Sequence, residues 1–152
     1  MIEIVKATLK DIDELVNLRI KFMCEVNDTA AYNTNLPKSL KGYFEEHIVN
    51  DSFVSWLAKD EEKIVAMSGI CFYSLPPTLK NLSGKTAYIM NMYTLTEYRK
   101  LGIASKLFNK MIEEAKDKKS GVIYLHATAA GRPLYEKFGF KITDNEMIYR
   151  IE

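Results

Sequence analysis

The stretch Glu97-Tyr98-Arg99-Lys100-Leu101-Gly102-Ile103-Ala104-Ser105 carries residue types that can hold phosphate. Arg99 and Lys100 supply positive charge. Gly102 and Ala104 lack bulk and let an anion approach the backbone. The stretch follows an apolar, strand-like run from Ala87 to Leu95. It opens an amphipathic pattern with Ile103, Leu107, Met111, Ile112 and Ala115 at helical spacing. The first N–H groups of a helix have no partner within it, and the helix dipole puts partial positive charge there. The spacing is neither GxGxxG nor GxxxxGK(S/T), which turns the reading away from a dinucleotide fold and a phosphate-loop enzyme. The competing reading is a basic helix start with solvated side chains.

The elements that must position this turn follow from periodicity. Ile2 to Lys6 alternates and predicts a strand. Thr8 with Asp11 resembles a capping box and opens a helix with Ile12, Leu15, Val16, Arg19, Ile20 and Met23 on one face. Asn27 to Asn35 is polar and turn-like. A second helix is expected from near Pro37 to Ile48. Strands are expected over Ser52–Ala58, Ile64–Leu75 and Thr86–Leu95, with Pro76 and Pro77 ending the second. After the helix that Gly102 opens come a strand over Val122–Ala127 and a short helix over Pro133–Phe138, which Gly139 breaks. Phe140–Ile142 and Met147–Ile151 should close the chain as a hairpin around Asp144-Asn145. This order predicts one α/β (α+β) domain over residues 1–152. Its sheet is mixed, with antiparallel N-terminal strands, a parallel pair around a crossover helix, and flanking helices.

The bulk numbers narrow the function classes. At 152 residues, 47% hydrophobic and 27% charged, the chain can bury a core of its own. A net charge of +1 gives no global field toward nucleic acid or anionic membrane. The short run Lys116-Asp117-Lys118-Lys119 suits a helix C-terminus. The two cysteines, Cys24 and Cys71, form no CxxC pair, and no metal site is expected. No apolar run approaches the length of a membrane span, and a cytoplasmic setting is expected. A homodimer is left open.

The element order and two motifs together resemble the GCN5-related N-acetyltransferase (GNAT) superfamily. Arg99-Lys100-Leu101-Gly102-Ile103-Ala104 is similar to the family's Q/R-x-x-G-x-G/A. Leu134-Tyr135-Glu136-Lys137-Phe138-Gly139-Phe140 is similar to the run that follows its next strand. The resemblance implies acetyl-CoA as co-substrate and an amine of a small molecule or peptide as acceptor. It implies that the amides of the turn Arg99, Lys100, Leu101, Gly102, Ile103 and Ala104 hold the CoA pyrophosphate. The strand edge at Met92, Tyr93 and Thr94 would pair with the pantetheine arm, beside a bulge that splays this strand from the next. Tyr135 falls at the family's usual general-acid position, where it would protonate the departing thiolate, while an N–H of Met92 or Tyr93 steadies the oxyanion. The chain departs from the pattern at Thr128, where the family often has Asn near the pantetheine, and at Gly131, where it often has Ala.

No general base is identified by the sequence. His126 at a strand end could accept a proton or contact substrate, and a water chain could replace a side-chain base. Glu25 and Asp28 at the end of the first helix could attract an amine or equally be solvated caps. Glu97 and His47 read as surface residues. Acceptor specificity in such folds lies in the segments corresponding to Val26–Asn50 and Pro76–Lys85. A second reading from another class is a non-catalytic CoA- or acyl-CoA-binding module.

Overall fold

Thr8 sets the first reversal of the chain. Strand β1 (Ile2–Lys6) ends just before it. The Thr8 hydroxyl accepts from the Lys10 N–H, and the Asp11 carboxylate accepts from the Thr8 N–H at 2.9 Å. This reciprocal cap starts a single 3-10 turn that runs into helix α1 (Ile12–Val26). The computed structural model describes residues 1–26, 35–143 and 145–151. Most of the polar stretch after α1, and Asp28 with it, therefore lies outside the described residues. The chain is next described at α2 (Leu36–Val49), with Pro37 in its first turn, where a missing N–H costs nothing.

Strands β2 (Phe53–Val54), β3 (Trp56–Asp60), β4 (Lys63–Ser74) and β5 (Lys85–Thr94) follow. Helix α3 (Ile103–Asp117), β6 (Val122–Leu125) and α4 (Arg132–Lys137) complete the elements. They build a six-stranded sheet in the order β1-β3-β4-β5-β6, with β2 also paired to β4. All pairings are antiparallel except β5 with β6, the pair that α3 connects. The mixed sheet expected from the sequence is the one observed.

Two expectations are not met. The single strand over Ser52–Ala58 is broken at Ser55. The Ser55 carbonyl accepts from Ala7 N–H at 2.8 Å and its hydroxyl donates to the Ser68 carbonyl at 2.6 Å. The Ser68 hydroxyl in turn accepts from Trp56 N–H and donates to the Trp56 carbonyl. Side-chain hydroxyls thus replace ladder bonds, which alternation of apolar residues cannot reveal. The closing hairpin also fails: residues 140–143 and 145–151 form no strand. Met147, Tyr149 and Ile151 are each more than 90% exposed. Strand propensity is realised only against a partner edge, and this segment has none among the described residues.

The core lies on both faces of the sheet. Leu15, Val16 and Phe44 of α1 and α2 pack on Phe53, Leu57 and Met67. Phe108, Met111 and Ala115 of α3, with Tyr135 of α4, pack on Val54, Ile70, Ala87 and Ile89. Successive residues such as Phe53 and Val54 join different clusters, as the two-residue period of a strand requires.

Candidate functional site

The sheet forks at one edge. Pairing of β5 with β6 runs from Thr86 opposite Val122 to Ile89 opposite Leu125 and stops there. Strand β5 continues to Thr94 on β4 alone. The β4 register slips between Met67 and Gly69, so Asn91 and Met92 together oppose Ser68, and Asn91 takes φ of 58°. A bulge of this kind bends the strand and raises its twist, which turns β5 away from β6. The outer edge of Met92, Tyr93 and Thr94 is consequently paired with no strand among the described residues. Asn91 is 3% exposed, and its side-chain oxygen has no hydrogen-bond partner among the described residues.

The side chains beside this edge are fixed by α1. The Tyr93 hydroxyl donates to Glu25 Oε1 at 2.5 Å. Burial, and then the Glu25 carboxylate, push that phenol up to about 12. Arg99 donates through Nε to the Thr94 carbonyl at 2.8 Å and through Nη2 to Glu25 Oε2 at 3.1 Å. The Tyr93 hydroxyl, then Arg99, hold the Glu25 carboxyl below its ordinary range. Glu25 is therefore a brace between α1 and β5, not a free carboxylate for an amine.

The turn after β5 is left-handed at two places, Lys100 with φ of 63° and Gly102 with φ of 79°. Gly102 precedes α3 and no side chain caps it. The first helical bond runs from Lys106 N–H to the Gly102 carbonyl at 3.3 Å. The amides of Ile103, Ala104 and Ser105 precede that bond, and none has a hydrogen-bond partner among the described residues. Buried Ile103 anchors the helix start, while Lys100 and Leu101 stand exposed. Nothing lies within 4 Å of the place a Gly102 Cβ would take. Unbonded amides, a free strand edge and an orphaned buried amide oxygen fit a phosphate-bearing ligand with a hydrogen-bonding arm.

Tyr135 lies on the α3 face of the fork. It is 8% exposed and shares a cluster with Ile89 and Leu125, the last paired residues before the strands part. Its ring packs on Phe108, with centroids 5.2 Å apart. Burial pushes its phenol up, so the proton is retained at neutral pH. Its hydroxyl bonds to no described residue. A Cβ at position 131 would stand 2.9 Å from that hydroxyl oxygen. Glycine there, where the resemblance has Ala, follows from this close approach. The Thr128 hydroxyl accepts from Gly131 N–H at 3.1 Å, which leaves its own hydrogen to donate.

The opposite face of the fork holds His126, a candidate from the sequence, with Tyr88 and Glu146, which the sequence left unassigned. The Tyr88 ring lies beside His126, centroids 5.6 Å apart, and His126 Nε2 pairs with Glu146 at 3.1 Å. Burial first, then Glu146, raise the Tyr88 phenol, and Arg19 of α1 opposes them. Tyr88 had one available signal, a polar-tipped residue in the run before the bulge. Glu146 had none. Glu97 is exposed and pairs with Lys63. His47 is half-buried, 2.6 Å from the Ser52 hydroxyl through Nδ1. Cys71 is a half-buried thiol that burial pushes up, in line with a packing role. Among the described residues no group of three or more His, Cys, Asp or Glu could hold a metal ion, and no helix is long and apolar enough to cross a membrane.

Comparison with known proteins gives concordant matches. The model of the Acetyltransferase (GNAT) family matches residues 15–140. A crystal structure of a predicted acetyltransferase with acetyl-CoA from Clostridium acetobutylicum superposes with a TM-score of 0.91. That match has 35% identity and covers 99% of this chain and 96% of the other. N-alpha-acetyltransferase 50 of Danio rerio is 38% identical over 74 residues, 45% of this chain and 44% of that protein. N-acetyltransferase 8 of Homo sapiens is 33% identical over 95 residues, 58% of this chain and 38% of that protein. The chain thus spans less than half the length of these two curated relatives.

Proposed function

The chain belongs to the acetyltransferase (GNAT) family, and we propose that it transfers the acetyl group of acetyl-CoA to an amine of a small molecule or peptide. The observation that carries this reading is the forked sheet edge with an uncapped helix start beside it. The similar protein from Clostridium acetobutylicum was crystallised with acetyl-CoA, which supports the same co-substrate here. In this reading the amides from Gly102 to Ala104 hold the pyrophosphate. Arg99 shapes that turn through the Thr94 carbonyl, and Lys100 adds charge. The edge of Met92, Tyr93 and Thr94 pairs with the pantetheine arm, to which Thr128 donates.

When bound, acetyl-CoA supplies a thioester carbonyl for a neutral amine to attack. An N–H of Met92 or Tyr93 steadies the negative charge that develops on the carbonyl oxygen. Tyr135, kept protonated by burial, gives its proton to the departing sulfur. His126, held by Glu146 and flanked by Tyr88, takes the amine's proton, directly or through water. The Phe108 contact holds the Tyr135 ring in place. An aromatic pair of this kind adds about 0.5–1.5 kcal/mol beyond its buried area.

The test is a panel of amine classes with detection of released CoA thiol. Release that rises with one amine class and not without amine is the expected result. Tight acetyl-CoA binding with no transfer to any amine would leave a binding module in place of an enzyme.

A further inference from the structure

Arg19 projects from α1 on the helix face that carries Leu15 and Phe22. It is half-buried. Its one ring contact is with Phe22, at 5.8 Å, and no carboxylate pairs with it among the described residues. Lys41 pairs with Asp13 of the same helix, and Arg99 pairs with Glu25 near its end. Glu25, the carboxylate further along the same helix, is already held by Tyr93 and Arg99. A guanidinium cannot shed its proton in a protein, and a desolvated charge without a counter-ion is costly. Such a charge is retained where a ligand supplies the anion.

The location gives that anion a source. Arg19 reaches the fork through Phe22: its guanidinium lies over the Phe22 ring, and that ring packs on Tyr93 of the strand edge with centroids 5.6 Å apart. Its charge also opposes that of the Glu146 carboxylate at the Tyr88 phenol. Tyr88 packs on His126 at the end of β5–β6 pairing, and His126 pairs with Glu146. The α1 side of the fork therefore presents a cation, the β6 side a histidine with a carboxylate, and Tyr88 stands between them. That polarity complements a molecule with an amine at one end and an anion at the other. We propose that Arg19 is a specificity-determining residue of the acceptor pocket and that the acceptor carries a carboxylate close to its reactive amine. This rests on the acetyl-transfer reading above.

The experiment compares matched acceptors that differ only in that charge. One arm uses free amino acids against their carboxamides. The other uses peptides with Asp or Glu after the N-terminal residue against Asn or Gln. The wild-type protein should favour the carboxylate member in at least one arm, and the arm identifies its source. Arg19→Gln should cut kcat/KM for that member by about tenfold or more, mostly through KM, because a charge-assisted hydrogen bond is lost. The amide member and acetyl-CoA affinity should change little, the melting temperature should hold or rise because an unpaired half-buried charge is removed, and Arg19→Lys should restore part of the loss. Equal losses for both members, or a wild-type preference for the neutral member, would overturn the proposal. The wild-type comparison decides the matter even if Arg19→Gln does not fold. No transfer to any amine, with acetyl-CoA still bound, is a different result. It removes the acetyl-transfer reading, and this proposal with it.

Discussion

Gly102→Glu should reduce acetyl-CoA affinity by about 100-fold or more while leaving the domain folded. The new carboxylate would stand at the uncapped start of α3, where the amides of Ile103 and Ala104 have no partner among the described residues. Two like charges a few ångströms apart at a partly desolvated site repel by several kcal/mol, which corresponds to this loss. The residue also sits at φ of 79°, where any side chain costs about 1–2 kcal/mol. Gly102→Asn separates the two effects. Asparagine accepts the left-handed region and adds no charge, so it should lower stability slightly and affinity far less. A Cβ at this position meets nothing within 4 Å, so the first side-chain atom of either variant is accommodated. Equilibrium binding and thermal melting of both variants make the check. Unchanged affinity in a folded Gly102→Glu protein would mean that the phosphates bind elsewhere.

Tyr135→Phe should lower turnover by about 100-fold or more at neutral pH, the usual scale for losing a general acid. Stability should hardly move, because the ring keeps its contact with Phe108 and the hydroxyl bonds to no described residue. Acetyl-CoA affinity should also hold, because the ground state needs no proton there. Burial keeps the phenol protonated well above neutral pH, so the wild-type rate should not fall from loss of this proton in that range. The variant should recover part of its deficit as pH rises, since a thiol of pKa about 8.5 leaves more readily as thiolate. Turnover against pH for both proteins decides it. Equal rates near neutral pH would make Tyr135 a packing residue beside the cofactor and move the acid to water or His126.

Local chemistry was legible in the sequence, and distant pairing was not. The bounds expected for β4 and β5 fall within one residue of those observed. Alternation and the proline pair are local signals. The helix starting at Ile103 follows from Gly102 and from its apolar stripe in the same way. The Ser55 break was hidden because a serine within a strand gives no sign that its hydroxyl will replace a ladder bond 13 residues away. The strand-like runs around Asp144-Asn145 promised a closing hairpin, but strands need an edge as well as propensity, and residues 147–151 find none among the described residues. The sequence left Glu25 open between an amine-attracting carboxylate and a solvated cap; its bond from Tyr93, 68 residues distant, could not be read locally. The Tyr88, His126 and Glu146 constellation arises only when β5, β6 and the C-terminal segment meet. The turn before α3 was readable as an uncapped helix start because the residues that build it are contiguous.

The most direct test of the central claim is a calorimetric titration of the wild-type protein with acetyl-CoA, paired with its melting curve. The forked edge and the uncapped α3 start predict heat of binding that saturates at one ligand per chain. At 100 times the dissociation constant, the ligand should add about 2.7 kcal/mol to the folded state. Absence of binding heat, together with an unchanged Tm at saturating acetyl-CoA, would contradict the account.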